Sequence, residues 1–361
     1  MYKETQMRSL KTIDDFFAYV KKAPVTETKA NENVDITQNS AWYSAAGVKN
    51  SIKDMTAKVS PLLSRLTEGY EGANLPDSYP IPYDITNYFM KGKAAWTDSA
   101  VPAVSATQVT SNSSTLTQVS FIHQINVTDE MLDNCTDEEL YNKLVSILSK
   151  TSARTIEDCI INGDSETGAT SNVNSDDQAP ATTFGSAQYH SLKIDHGLRE
   201  SAINNSKTVD VSAFDSDDMI TVQNLLSSQY LEDPSQLLWL FEPKTKNVAM
   251  TDDAFKLAVN NSRPAVEGGL PAPWGTELLV SSLVPTTEAD GKVSATPANN
   301  TKGQFICFYK PAVRWGFGKE LNIESTRVAG FGYTLTATMR FGFVILDAAN
   351  VVAVGRNVTI S

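Results

Sequence analysis

The sequence predicts an α+β chain. Three observations predict it: one long amphipathic helix near the middle, one long alternating strand near the end, and short continuous apolar runs separated by helical segments between them. For the helix, apolar residues recur at helical spacing at Leu140, Leu144, Ile147, Leu148, Ile156, Cys159 and Ile160. Thr136 and Glu139 form a capping box that satisfies backbone N–H groups at its start, and Gly163 is read as the left-handed residue that closes its end. At 1.5 Å per residue this is a rod of about 26 residues and about 39 Å, which needs something to brace.

The strand is set by Phe331, Tyr333, Leu335, Ala337, Met339, Phe341, Phe343 and Ile345, all on odd positions, with Thr334, Thr336, Thr338 and Arg340 between them. Roughly 15 residues at about 3.3 Å each extend about 50 Å, enough to run beside the long helix and cover it. The apolar runs are Leu237 to Phe241, halted by Pro243, then Leu278 to Val280 and Phe305 to Tyr309. Each has the form of a central strand covered on both faces. Helical segments near Lys244 to Ala249 and Asp252 to Val259 lie between them, and Asp215 with Asp218 caps a helix carrying Met219, Val222, Leu225 and Leu226. This part reads as an α/β layer.

The first third is different. Leu10, Ile13, Phe16, Phe17 and Val20 form a narrow stripe on a short amphipathic helix that needs a partner surface. Residues 23–40 are polar and aperiodic, an extended linker. A second helical pattern through Val48, Ile52 and Met55 is interrupted or restarted by Pro61 before Leu62, Leu63 and Leu66. Val119, Phe121, Ile125 and Val127 alternate with polar neighbours and place His123 on the same face, so this stretch reads as a strand with one buried side. Between Lys93 and Thr117 the apolar content is too thin for a packed sheet. That predicts a projecting β-hairpin with its tip at Ser111 to Ser114, marginal alone and in need of a neighbour such as another subunit. After the long helix, the polar stretch from Asn162 to about Ala187 reads as a mobile loop, with order resuming near Asp215.

Composition narrows the function. In a chain of 361 residues, 41% hydrophobic content supports a substantial core. No run of about 18 apolar residues exists, and the first residues lack the apolar centre of a signal peptide, so no membrane or secretory role is expected. A net charge of −12 and a pI near 4.8 argue against a broad phosphate-gripping face. Cys135, Cys159 and Cys307 lie far apart without metal-ligand spacing and read as small reduced hydrophobes, in keeping with cytoplasmic synthesis.

No catalytic, cofactor-binding or metal residue is assigned. His190, His196 and Asp195 are fewer and more loosely spaced than the ligands of a closed zinc site, so they read as loop residues. Asn174 to Asp177 does not place its oxygens as a calcium loop does. Gly316-Phe317-Gly318 lacks the third glycine of a dinucleotide turn and reads as a strand bend. No Gly-x-Ser-x-Gly elbow is present to suggest a nucleophilic triad. Trp96, Trp239, Trp274 and Trp315 read as core or interface anchors, with Trp96 tilted toward an intersubunit contact by its place in the hairpin.

Taken in order, these pieces resemble the major capsid proteins of tailed bacteriophages with the Hong Kong 97-type fold. Val59 to Thr67 is similar to the segment before that family's extended hairpin, and Ala94-Ala95-Trp96-Thr97-Asp98 resembles the hairpin's first strand. Val119 to Val127 followed by Thr128 to Asp133 looks like the return strand and the entry to the spine helix, and Ile160-Ile161-Asn162-Gly163-Asp164 matches the helix exit. Phe305 to Lys310, Arg340 to Ile345 and Asp347 to Val351 are similar to the closing strands.

The resemblance implies an N-terminal arm over residues 1–70 and an E-loop hairpin with its flanks over 71–128. A P-domain with the spine helix follows over 129–210, an A-domain over 211–328 and closing strands over 329–361. It implies a non-enzymatic coat protein, without cofactor, whose copies form hexamers and pentamers of an icosahedral shell. The shell would enclose double-stranded DNA without sequence-specific binding, in a virion capsid assembled in the host cytoplasm. Portal and scaffolding proteins, and decoration proteins on some shells, are the further partners it implies, and no membrane. Phe16, Phe17, Trp96 and Phe121 are the expected assembly contacts. Some members join subunits through Lys–Asn isopeptide bonds, for which Lys91 and Lys93 stand near the E-loop base; their ordinary reading is solvated charge. A starting Met1 and an arm with its own apolar stripe fit a chain from which no long pro-segment is removed. The alternatives are an encapsulin-like nanocompartment shell and, from another class, an acidic soluble hydrolase.

Overall fold

The computed structural model describes residues 60–71, 78–83, 112–128, 137–166, 172–174, 195–252, 273–294, 296–328 and 332–360. In chain order they form β1 (Thr67–Glu71), β2 (Ser78–Tyr83), β3 (Asn112–Thr128), α1 (Asp137–Asn162), α2 (Leu198–Asn204), β4 (Thr208–Asp210) and α3 (Ser216–Gln223). There follow β5 (Leu237–Phe241), α4 (Pro243–Ala249), β6 (Glu277–Val280), β7 (Lys302–Tyr309), β8 (Val313–Val328), β9 (Gly332–Ile345) and β10 (Val352–Thr359). Two five-stranded sheets result, ordered β1-β8-β9-β3-β2 and β4-β10-β7-β5-β6.

The first sheet is built on three long antiparallel strands. β3 runs 17 residues, β8 16 and β9 14. β3 pairs with β9 without a register break from Thr117↔Phe343 to Thr128↔Gly332, so directly opposed residues share a face. The odd face carries Ala337, Met339, Phe341, Phe343 and Ile345, all buried, as the alternation predicts. The opposite face is polar. Asn126 accepts from Thr334 Oγ1 at 2.8 Å and Gln124 donates to Thr336 Oγ1 at 3.4 Å, with Ile122 68% exposed among them. The Gly316-Phe317-Gly318 bend is a register shift in β8 between Phe317 and Lys319.

The expected hairpin tip at Ser111 to Ser114 is corrected. Asn112, Ser113 and Ser114 belong to β3 and pair with Tyr83, Pro82 and Ile81 of β2, and Leu116 is buried against Ile81 and Val344. Thin apolar content misled here because a few side chains, Ile81 and Leu116 chief among them, seat this stretch on the back of β9. Ser111 and the residues between β2 and β3 lie outside the described residues, as does everything before Ser60.

The second sheet is the predicted α/β layer. Leu238 and Leu240 of β5 face the core shared with α1 and the first sheet, while Leu237, Trp239 and Phe241 face a second core with Met219 and Val222 of α3 and Ala249 at the end of α4. Both faces of β5 are thereby covered, as the apolar run requires. Phe241 and Phe305 stack at 5.2 Å between ring centroids. β7 is covered in the same way, but β6 is not: it is the edge strand and Val280 is 38% exposed. Three consecutive apolar residues do not distinguish an edge from a centre. β10 lies inside the sheet, between β4 and β7. The predicted caps of α3 are present, since Asp215 accepts from Asp217 N–H at 3.1 Å and Asp218 accepts from Asp215 N–H at 2.9 Å.

Helix α1 ties the sheets together. Ile156, Cys159, Ile160 and Ile161 are fully buried in one core with Phe341 and Phe343 of the first sheet and Ile306 and Phe308 of the second. Its span of 26 residues is the predicted one. Thr136, the expected cap, lies outside the described residues. Toward its start the stripe is only partly covered, and Ile147 is 40% exposed. Cys159 and Cys307 are buried and in no disulfide, and burial pushes both thiols up, so they behave as the small hydrophobes expected.

Candidate functional site at the end of the long helix

Where α1 ends, both sheets and the start of α2 converge, and the chain changes from apolar packing to a buried polar cluster. Gly163 does not take the left-handed conformation expected of it, since it is absent from the glycines with positive φ. A Cβ there would lie 2.5 Å from the Cys159 carbonyl oxygen, 2.6 Å from the Asp195 carbonyl oxygen and 3.1 Å from the Phe343 ring. Gly197 faces it, and its own Cβ would stand 2.6 Å from Gly163 N. Gly197 N–H donates to the Gly163 carbonyl at 2.7 Å. Two glycines permit the end of α1 and the start of α2 to cross at backbone contact.

That crossing carries Arg199, which is completely buried. Its Nη1 donates to Asn162 Oδ1 at 2.9 Å and Asn174 Oδ1 at 3.3 Å, its Nη2 to the carbonyls of Gly291 at 2.8 Å and Val173 at 3.2 Å, and its Nε to Gln304 Oε1 at 3.4 Å. All five acceptors are neutral. Burial lowers its pKa to about 10, against the pull of Asp164, Asp158 and Asp290, and leaves it charged at neutral pH. A guanidinium has five donors in a rigid fork, and here its five bonds tie down four segments, Val173 and Asn174 belonging to one of them.

A second buried group works beside it. Glu157 of α1 accepts from Ser60 Oγ at 2.7 Å and Ser281 Oγ at 2.5 Å, which fastens the segment before β1 and the loop after β6 to the helix. Asn162 donates to the Leu283 carbonyl at 2.8 Å.

The third group is ionic. Asp164 is buried; its Oδ1 accepts from Glu166 N–H at 2.8 Å and its Oδ2 from Val173 N–H at 2.7 Å. Burial raises its pKa to about 6 in spite of those donors. His196 Nδ1 is 2.9 Å from Glu200 Oε1, and the bond to Glu200 raises the imidazole to about 9. Asp195 accepts from His196 N–H at 2.8 Å, and burial raises its carboxyl as well.

Ser165 Oγ lies 3.3 Å from His196 Nε2, so Ser165, His196 and Glu200 have the connectivity of a triad. The surroundings oppose acyl transfer. The N–H of the residue after Ser165 is already given to Asp164, and buried carboxylates beside the serine disfavour a developing oxyanion.

The expected mobile loop is corrected at residues 162–166 and 172–174, the rest of it lying outside the described residues, and so is the late return of order near Asp215. Asp164, Asn172, Val173 and Asn174 are buried, order is present from Asp195, and α2 stands where no element was expected. Polar composition misled because these polar groups bond to nearby backbone, to one another and to Arg199 rather than to water. The signals available were Leu198 and Ala202 at helical spacing after Gly197, too short a run to call.

Of the expected contact residues, Phe121 is half-buried on the odd face of β3, 6.1 Å from Phe341 between ring centroids. Phe16, Phe17, Lys91, Lys93 and Trp96 lie outside the described residues, and so does His190. Trp239 and Trp315 are buried in the cores, whereas Trp274 is 49% exposed in a left-handed backbone conformation.

No family model and no curated protein sequence matches the chain. Solved structures do. A chain from Gordonia phage Cozz is similar at 13% identity and a TM-score of 0.53, over 84% of this chain and 87% of that one. One from the satellite phage P4 procapsid including size determination (Sid) protein is similar at 11% identity and a TM-score of 0.50, over 86% and 99%. One from Mycobacterium phage Adephagia is similar at 13% identity and 0.50, over 84% and 91%. The likeness extends over most of the chain, which has the α+β fold of phage capsid proteins.

Proposed function

We propose that this chain is the major capsid protein of a tailed phage. Its copies assemble as hexamers and pentamers of an icosahedral shell around double-stranded DNA. The observation that carries the reading is the first sheet, whose three long strands run on beyond the core at the end of α1 and present a polar outer face holding one exposed isoleucine. Strands of this length, far above the usual 5–6 residues, gain their cover from neighbouring copies.

In this reading β3, β8, β9 and α1 make a peripheral P-domain and the second sheet an axial A-domain. Residues between β2 and β3 form the E-loop, residues before Ser60 the arm, and Phe16, Phe17, Trp96 and Phe121 their contacts. Portal and scaffolding proteins complete assembly, and the net charge of −12 keeps the wall from gripping the genome. The shell needs no catalysis.

Negative-stain microscopy and size-exclusion chromatography of the full chain test this. Closed particles of uniform diameter are expected, and a compact active monomer defeats the reading. Particles from the native source that lack nucleic acid by absorbance ratio would point instead to a nanocompartment. A denaturing gel of the same particles reads the Lys91 and Lys93 proposal, for which a ladder of covalent multimers is the supporting result and a lone 39 kDa band the opposing one.

A further inference from the structure

We infer that Asp164, His196 and Glu200 form a binding site for a divalent transition-metal cation of the zinc class, placed where the end of α1 meets the start of α2. One ligand atom from each residue lies within 4.8 Å of the others. Asp164 is fully buried and Glu200 3% exposed, while the His196 side chain, 43% exposed, provides the open side.

The ligands are already oriented by their neighbours. Each Asp164 oxygen is held by one backbone N–H and keeps a second lone pair, Asn204 Nδ2 donates to Glu200 Oε1, and Ser165 Oγ stands at His196 Nε2. Outer-shell bonds of this kind fix ring orientation and carboxylate direction in metal sites. His196 lies two residues before α2 and Glu200 stands in its first turn, so the entry to one helix presents both. Tetrahedral zinc with bonds of about 2.0–2.1 Å sets its ligand atoms about 3.4 Å apart. No pair has to close by more than about 1.4 Å, and His196 Nδ1 and Glu200 Oε1, now 2.9 Å apart, have to open by about 0.5 Å.

The charge balance favours a dication. Three carboxylates, Asp164, Asp195 and Glu200, stand against one imidazole and the Arg199 guanidinium, whose hydrogen bonds all go to neutral acceptors. His196 Nδ1 and Glu200 Oε1 already face each other at 2.9 Å, with room for an ion between them once they part. One imidazole with two carboxylates suits zinc better than calcium or magnesium, which take six or more oxygens or retain most of their water. A bound ion would join the residue following α1 to the first turn of α2. The site exists whether or not the chain builds a shell.

The test uses the full chain, stripped with a chelator and titrated with zinc against a chromophoric competitor. One zinc per chain is expected, with affinity lowered about a hundredfold or more in His196→Ala, beyond the roughly 10–100-fold that loss of an outer-shell partner costs. X-ray absorption at the zinc edge of the loaded wild-type chain reads the ligands independently of any variant's folding. A nitrogen and oxygen shell with a single imidazole is expected. No saturable binding, binding unchanged in His196→Ala, or sulfur in the shell overturns the site.

Discussion

Alanine at Arg199 lowers the unfolding free energy of the chain by about 3–5 kcal/mol, read as a shift of the urea midpoint at unchanged slope. The cost has two sources that a second variant separates. Removing the side chain leaves a cavity in the joint, and it also leaves two amide oxygens, the Gln304 oxygen and two backbone carbonyls without their donor. Arg199→Met refills most of the volume and none of the hydrogen bonds. If the bonds dominate, methionine recovers less than half of the loss; full recovery by methionine shows that only volume mattered. Buried ion pairs are often replaceable by apolar residues at no cost, but that rule applies when both partners are removed together. Here five acceptors from four segments remain behind.

The second large effect comes from one added methyl group. Gly163→Ala costs about 3 kcal/mol, the upper end of the usual overpacking range, because the obstacles at 2.5 and 2.6 Å are backbone carbonyls that cannot rotate away. The crossing of α1 and α2 would have to open, which also displaces Asp195 and Arg199. Gly275→Ala is the contrasting variant. Gly275 has φ of 79°, and its nearest obstacle is the Pro234 side chain at 4.0 Å, so the methyl meets conformational strain alone, about 1 kcal/mol. Thermal unfolding of both variants checks the order. Equal losses would show that crowding at Gly163 is relieved by a small local shift.

These two positions also mark where the sequence was legible and where it was not. Long regular elements declare themselves by repetition: α1 by its stripe and β9 by eight alternating residues, and both were placed within a residue or two. Strand β5 was recognised as central because five apolar residues in a row have no other place to go. The joint repeats nothing. Arg199 is a single residue whose five partners are scattered from Asn162 to Gln304, and no window around it contains them. The stretch after α1 looks like solvent-loving loop because composition measures polarity and cannot measure which polar groups face inward. Gly163 was recognised as important for the wrong physical reason. A helix end followed by glycine has the same sequence whether the residue turns left-handed or lets another backbone approach. The same holds for His196, which looked like a loop residue beside His190 and has its partners one turn ahead at Glu200 and one helix back at Asp164.

The place of β10 bears on how the protein is made. Residues 352–359 fill an interior position of the second sheet, and β9 closes on a strand more than 200 residues upstream. A ribosome must therefore release nearly all of the chain before either sheet has its middle. Neither sheet can complete its interior until residues 345 and 359, respectively, have been synthesised, so the long-range pairing in both follows synthesis of these strands rather than accompanying that of the first ones.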